Sequence, residues 1–341
     1  MAKVQSRRSH TMNDVAKLAG VSQTTVSFVI NDTPNANIPE DTRERVRAAI
    51  QQLGYRPNVL AQGLRMQRSG TLGFITDEIA ITPHAGKIFE GAQDAAWEND
   101  KFLLLVNTKA NPEIEKASVE MLLDRQVEGL IYAAMYHREV NPPVAMRQVP
   151  TVLLDCYCDD RSLPSVVPDE IVGGRAATEV LLQKGHRRIG FMNHEASQPA
   201  TFGRLAGYQQ ALAAYGVPFD ENLVRSAWCD SQGGYRCALE LMLLPDPPTA
   251  LFCFNDRMAM GAYDALRKLN RRIPDDVAVM GFDNQELIAA HLYPPLSTME
   301  LPHYQMGAWA TQHLIEMIVN PDKRSPVQHK IECKFVERAS V

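Results

Sequence analysis

Residues 11–31 read TMNDVAKLAGVSQTTVSFVIN, and the caps, apolar periods and single glycine of this stretch decide how the chain begins. Thr11 with Asp14 three residues on has the form of a capping box, and Val15, Leu18 and Ala19 recur behind it at helical spacing. Gly20 stops that helix, and Ser22 stands where it can cap a second one over 23–30. Two short helices joined by a Gly-containing turn make a helix-turn-helix, whose second helix can enter a DNA major groove. Val26, Val29 and Ile30 are placed toward the core with Val21 beside them, which leaves Gln23, Thr24, Ser27 and Phe28 on the outward or N-terminal face. Those four suit base reading: Gln pairs bidentately with adenine, hydroxyls reach several edges or phosphates, and an aromatic ring covers a thymine methyl. A third helix follows over 40–53, with Pro39 near its start and Gly54 at its end; Val46, Ala49, Ile50 and Leu53 keep one face of it. The same pattern also serves a three-helix bundle with no role in DNA binding.

Charge separates this start from the rest. Residues 1–70 hold 10 Lys and Arg against 5 Asp and Glu, and the remainder 25 against 35, so a +5 segment precedes a −10 body in a chain of net −5. Such asymmetry fits a small module for a polyanion joined to a larger acidic body. The 341 residues are 45% apolar and 22% charged, with no biased tract of Gly or Pro, which excludes wholesale disorder and collagen-like architecture and allows two or three domains. Apolar stretches such as 129–136 and 249–254 fall short of the ~18–20 residues of a transmembrane helix, and MAKVQSRRSHTMND has no apolar run behind its basic residues to make a secretory signal. Six cysteines without a CxxC pair suit buried thiols in a reducing cytoplasm rather than a disulfide scaffold.

The segment after Gly54, Tyr55-Arg56-Pro57-Asn58-Val59-Leu60-Ala61-Gln62-Gly63-Leu64-Arg65, resembles the hinge of the lactose-repressor/galactose-repressor (LacI/GalR) family of bacterial transcription regulators. The run 12–31 resembles the helix-turn-helix of that family equally well. The resemblance implies a hinge that folds on operator DNA, with Leu64, preceded by the small Ala61, as the apolar wedge in the minor groove. Gly63 lowers helix propensity by about 1 kcal/mol relative to Ala, which fits a segment that orders when bound. The implied DNA-contacting set is Thr11, Gln23, Thr24, Ser27, Phe28, Asn31, Arg56, Asn58, Ala61 and Leu64. Lys3, Arg7, Arg8, Lys17, Arg56, Arg65 and Arg68 are expected to supply mainly phosphate affinity. Phe28 stands where many members carry a polar or basic residue, so it leans the operator preference toward a thymine methyl.

From Thr71 short apolar strands alternate with amphipathic helices. Strands are expected over 72–76, 102–106, 129–133, 151–155, 188–192, 250–254 and 277–282, with helices over 86–99, 112–125, 171–184, 200–215, 232–244 and 256–269. This rhythm implies an α/β fold of parallel sheets covered on both faces, with binding sites at the carboxyl ends of the strands. The sequence shows no GxGxxG after a strand, no GxxxxGK[ST], no GxSxG and no HExxH. His186, His194, His291, His303 and His313 do not fall at metal-ligand spacings and read as surface or capping residues. Asp159-Asp160 and Asp275-Asp276 read as turns. No catalytic residue, metal or cofactor is therefore expected.

The resemblance spans nearly the whole chain after the first ten residues or so, and implies a body like a periplasmic sugar-binding protein (type I). The implied division is a helix-turn-helix domain over 1–56, a hinge over 57–70 and an effector-binding and dimerisation domain over 71–341. Its first lobe takes 71–168 and about 300–328, its second 169–298 and 329–341, and the chain crosses between them three times. Gly203-Arg204-Leu205-Ala206-Gly207-Tyr208, Phe254-Asn255-Asp256-Arg257-Met258-Ala259 and Gly281-Phe282-Asp283-Asn284 match the cleft motifs of the family. Arg204 offers five fixed donors, Asp283 and Asp155 offer acceptors for hydroxyls, and Asn255 can do both. Asp256 reads as a helix N-cap. Thr82-Pro83-His84 stands where many members have a small-Pro-Phe stretch, and Ser231 near a position often aromatic; Trp228 reads as structural. The effector set is thus Thr82, His84, Asp155, Arg204, Ser231, Asn255 and Asp283.

The expected protein is a cytoplasmic homodimeric repressor, bound to nucleoid DNA at a near-palindromic operator and controlled by a small molecule, a sugar or oligosaccharide, with no membrane contact. Other readings are a purine- or nucleoside-responsive member of the same family, a solute receptor, or an enzyme on the same sheets.

Overall fold

The computed structural model describes residues 10–33, 36–55, 69–79 and 86–341. The chain divides into two compact units, Met1–Ser69 and Gly70–Val341.

The first unit contains α1 (Met12–Ala19), α2 (Gln23–Ile30) and α3 (Glu40–Leu53). The Thr11 hydroxyl accepts from the Asp14 amide at 3.3 Å, and the Asp14 carboxylate accepts from the Thr11 amide at 2.8 Å, so the shorter acid still closes the capping box. Gly20 ends α1 in the left-handed region at φ 66°, where a side chain would be strained, and Ser22 accepts from the Thr25 amide at 3.1 Å to start α2. Val15, Ala16, Ala19, Val26, Val29, Val46 and Ala49 form the buried core. Leu18, expected on the buried stripe, is 46% exposed. The small residues Ala16 and Ala19 take that arc and bring α1 against α3, where Arg45 donates to the Ala19 carbonyl at 3.3 Å.

The second unit holds two six-stranded sheets. The first combines β1 (Thr71–Thr76), β2 (Phe102–Asn107), β3 (Leu130–Glu139), β4 (Thr151–Tyr157), β5 (Ser165–Pro168) and β11 (Gln328–Ile331), in the order β11-β5-β4-β3-β1-β2 and parallel throughout. The second combines β6 (Ile189–His194), β7 (Val224–Ala227), β8 (Ala250–Cys253), β9 (Ala278–Asp283), β10 (Ser297–Glu300) and β12 (Lys334–Val336), in the order β12-β10-β9-β8-β6-β7, with only β12 antiparallel. Helices α4 (Gly86–Trp97), α5 (Pro112–Asp124) and α11 (His303–Val319) pack on the first sheet. Around the second lie α6 (Glu170–Gln183), α7 (Pro199–Ala214), α8 (Ser231–Met242), α9 (Asp256–Lys268) and the short α10 (Glu286–Ala289).

Alternate residues of each strand feed opposite faces. Phe74 and Leu154 join Ile88, Met306 and Leu314 on one face of the first sheet, while Ile75 and Leu153 join Val119 and Leu122 on the other. In the second sheet Phe191, Phe252 and Phe282 pack on α6 and α7, and Met192, Leu251 and Val279 on α8 and α9. All six cysteines are free thiols, five of them buried. No helix among the described residues is long and apolar enough to cross a membrane.

The chain passes between lobes after β5, after β10 and between β11 and β12. Residues 329–331, expected in the second lobe, instead pair with β5 of the first through the ladder Gln328↔Ser165 to Ile331↔Pro168. Among the described residues, five strands beyond those expected are present: β5, β7, β10, β11 and β12. Each has three or four residues, and most carry polar side chains, so no apolar run marks them. Their backbones complete the sheets, and Val166, Ala227 and Met299 add buried side chains to the cores.

Candidate functional site

Two surfaces are candidates for function, one in each unit. On α2, Gln23, Thr24 and Phe28 are exposed and Ser27 is partly so, while the core side of the helix is filled by Val26 and Val29. The outward placement expected of these four is therefore observed. Asn31 follows α2 and donates from its side chain to the Ser27 carbonyl at 2.8 Å, which stiffens the end of the helix. Thr11 is engaged as the cap of α1, with its hydroxyl also donating to Asp14 at 2.8 Å. Arg56, Asn58, Ala61 and Leu64, and with them residues 57–68 of the hinge, lie outside the described residues, as do Thr82 and His84.

The second surface is a cleft of about 360 Å³ between the lobes, at the carboxyl ends of both sets of parallel strands. From the first lobe it is lined by Tyr136 and His137 of β3, Asp155 of β4 and Pro168 of β5. The second contributes Glu170, His194, Arg204, Trp228, Asn255 and Asp283, and the crossing segment contributes His303. Of the expected effector residues that are described, Asp155, Arg204, Asn255 and Asp283 line the cleft; Ser231 does not. Ser231 opens α8, and its carbonyl abuts Gly261 of α9, so its backbone packs those helices together instead. Trp228, read as structural, is a cleft residue: it is 57% exposed, with its ring edge-on to His194 at 4.9 Å.

Arg204 is the centre of the site and is only 3% exposed. Its Nε donates to Glu170 Oε2 at 2.7 Å, a second nitrogen to Glu170 Oε1 at 3.4 Å, and Nη1 to the Phe254 carbonyl at 2.5 Å, with Asp283 Oδ1 at 3.6 Å. The rings of Phe254 and Phe282 lie against its guanidinium at 4.4 and 3.7 Å. Burial alone would lower the guanidinium's proton affinity, but Glu170 and Asp283 outweigh it and raise it. Glycines make the Glu170 pair possible. A Cβ on Gly203 would lie 2.6 Å from the Glu170 Cβ, one on Gly174 would lie 2.5 Å from the Arg204 carbonyl, and one on Gly207 would collide with the Ile171 carbonyl. The glycines of the 203–208 motif thus hold α7 against α6, while Tyr208 is core, donating to the Ile189 carbonyl at 2.8 Å.

The two strand-end carboxylates are set by the backbone. Asp155 (φ 54°) and Asp283 (φ 102°) both have left-handed φ, which costs about 1–3 kcal/mol each and turns the chain at the cleft. Asp283 accepts from the Gln285 side chain at 3.0 Å. Asp155 is 4% exposed, and its Oδ1 has no hydrogen-bond partner; burial, reinforced by Glu170, holds its carboxyl well above the usual range. His137 Nδ1 is likewise buried without a partner, and burial pushes that imidazole down to about 4. Asn255 caps α9 through the Met258 amide at 2.9 Å and donates to the Cys229 carbonyl at 3.1 Å, so it shapes the cleft wall as a cap.

Asp256 is not the cap that its position suggests. It is fully buried, and accepts from the Gln285 amide and the Thr298 hydroxyl at 2.6 Å each, tying α9 to β10 and to the segment after β9. Burial, with Asp283 nearby, pushes its carboxyl up to about 8. A carboxyl raised on folding binds more protons in the folded state between its unfolded and folded values, so stability falls as pH rises through that window. Asp256→Asn is therefore expected to flatten the loss of stability between about pH 4 and 8, read by urea denaturation at a series of pH values.

Glu170, His137, His194, Tyr136 and His303 were missed by sequence reading. Strand β3 runs on to Glu139 rather than stopping near Ala133, and that extension carries Tyr136 and His137 into the cleft. Glu170 reads as an ordinary first-turn acid of α6; only the fold brings it to Arg204.

A buried polar cleft between two parallel-sheet lobes, attached to a helix-turn-helix with an exposed polar recognition helix, is the architecture of a ligand-controlled DNA-binding regulator. Residues 11–58 match the family described as bacterial regulatory proteins, lacI family, and residues 69–339 match periplasmic binding proteins and the sugar binding domain of the LacI family. The chain is 34% identical to the HTH-type transcriptional regulator RegA of Clostridium saccharobutylicum over 97% of its own length and 98% of that protein's. Among solved structures it resembles the complex of the transcriptional regulator CelR with cellobiose (30% identity, TM-score 0.67, 97% of this chain and 100% of that one). It also resembles the lac repressor dimer bound to operator and the anti-inducer ONPF (26% identity, TM-score 0.78, 98% and 99%). The chain belongs to the lacI family of bacterial regulatory proteins, transcriptional repressors with a DNA-binding head and an effector-binding body.

Proposed function

We propose that this chain is a homodimeric repressor, acting on DNA in the cytoplasm, whose affinity for a near-palindromic operator falls when a carbohydrate closes the cleft. The carrying observation is the cleft lining, where buried Asp155 and Arg204 and partly buried Asp283 are joined by two exposed rings, Tyr136 from the first lobe and Trp228 from the second. Carboxylates take hydroxyl protons and flat rings cover the apolar faces of sugars, so the two kinds of group divide the recognition of a pyranose between them. Gln23, Thr24, Ser27 and Phe28 would read bases, and Thr11 and Asn31 would set the ends of their helices against phosphates. Residues 1–56, 57–70 and 71–341 would serve as reading head, hinge and effector body. Trp97, Phe102, Leu104, Leu105, Ile114 and Met121 are exposed on α4, β2 and α5 of the first lobe, and support pairing of two copies there. No catalytic step is assigned to the cleft.

A melting screen of the full chain against mono- and oligosaccharides tests the effector class. A ligand at about 100 times its dissociation constant adds about 2.7 kcal/mol, enough to move the midpoint of the body by several degrees. Stabilisation by purines but not by carbohydrates would overturn the reading.

A further inference from the structure

Among the described residues of the cleft, the one buried guanidinium is already engaged. Arg204 gives two of its nitrogens to Glu170 and a third to the Phe254 carbonyl, while two phenylalanine rings lie against its guanidinium. Asp283 adds a second carboxylate within 3.6 Å of it, and Asp155 a third carboxyl in the same cleft, buried and with one oxygen unpartnered. The other guanidinium of the lining, Arg257, is exposed to water at the cleft, where its charge is screened. Among the described residues, three acidic side chains therefore face one engaged arginine, and of the two buried lining atoms without a partner, His137 Nδ1 and Asp155 Oδ1, the carboxyl oxygen calls for a hydrogen-bond donor. Sugar hydroxyls are donors; the oxygens of a carboxylate or an ionised phosphate monoester are acceptors only, so they would offer nothing to Asp155 Oδ1 and would meet the carboxylates of Glu170 and Asp283.

We infer that the cleft selects an uncharged, polyhydroxylated carbohydrate and rejects its phosphorylated and carboxylated counterparts, with Glu170 as the residue that keeps Arg204 from serving as an anion site. This inference rests on the carbohydrate reading proposed above and narrows it. Glu170 acts as a specificity residue through its grip on Arg204: with the carboxylate gone, the guanidinium regains free N–H groups and has only Asp283 to balance its charge inside the cleft.

The test uses the full chain and matched pairs: cellobiose, sucrose, trehalose and glucose, each beside its 6-phosphate, with glucuronate and inorganic phosphate as further anions. Thermal shift identifies binders and calorimetric titration gives affinities. The expected result is that binders fall in the uncharged series, each at least tenfold tighter than its phosphate. Glu170→Gln, which keeps the side-chain length that Gly203 packs against, is expected to narrow that ratio by tenfold or more and to give measurable binding of inorganic phosphate. Asp155→Asn is expected to weaken the uncharged binder at least tenfold with no gain for the phosphate. A phosphorylated or carboxylated sugar that binds the parent protein as tightly as its neutral partner overturns the inference while leaving the carbohydrate reading in place. No binding in either series overturns both. If Glu170→Gln melts too low to titrate, the matched pairs on the parent protein still decide.

Discussion

Arg204→Met is expected to destabilise the effector body by about 3–5 kcal/mol, because it strands the Glu170 carboxylate in a site that burial has already stripped of water. Both side chains are nearly inaccessible, 4% and 6% exposed, so solvent cannot take over the role of the partner. The loss should be specific to one half of the pair. Arg204→Met combined with Glu170→Leu removes both charges, and is expected to recover most of the stability, though not effector binding. Urea denaturation of the parent, both single variants and the double variant forms the cycle that measures this. A single variant as stable as the parent would contradict the buried-pair account.

Gln23→Ala with Thr24→Ala is expected to weaken operator binding by about 100-fold or more while leaving the melting temperature within a degree or two. Each side chain reading a base edge is worth about 1–3 kcal/mol of discrimination, and two together give that fold-change. Both are exposed, and the core of α1 to α3 is built without them from Val15, Val26, Val29 and Val46. The same variant should keep its nonspecific, salt-dependent affinity for duplex DNA, because phosphate contacts are expected mainly from basic residues elsewhere. Loss of specific and nonspecific binding together would mean that α2 is not the reading element.

Legibility from the sequence followed the physics of each element. Helices α1 and α2 announce themselves because Thr11, Asp14, Gly20 and Ser22 perform there the capping roles their side chains dictate. The central strands are legible for a related reason: a strand buried on both faces must be a continuous apolar run, and Phe74, Ile75, Leu153 and Phe252 belong to such runs. Strands such as β7 and β11 are invisible by the same rule, since VRSA and QHKI sit at or beside sheet edges and need only a backbone to pair. In the cleft, Asp155, Arg204 and Asp283 were legible, whereas Glu170 was not. A carboxylate in the first turn of a helix looks the same whether it faces water or an arginine 34 residues away, and the glycines that bring α6 onto α7 give no hint of what they bring together. Asp256 shows the converse. Its position before Arg257-Met258-Ala259 suggests a cap, yet Asn255 takes that role and frees Asp256 to lock α9 to Thr298.

The regulatory claim is that a ligand in the cleft and DNA on the reading head are coupled through one chain. Coupling of this kind is typically worth about 1–3 kcal/mol, and by linkage it acts equally in both directions. The most direct test selects bound duplexes from a random pool with the full chain. The affinity for the enriched duplex is then titrated with and without whichever carbohydrate raised the melting temperature. The account predicts enrichment of a near-palindromic site, and an affinity for it that falls by about tenfold or more when the carbohydrate is present. An enriched site bound equally tightly in both conditions, or a pool from which nothing is enriched, would contradict it.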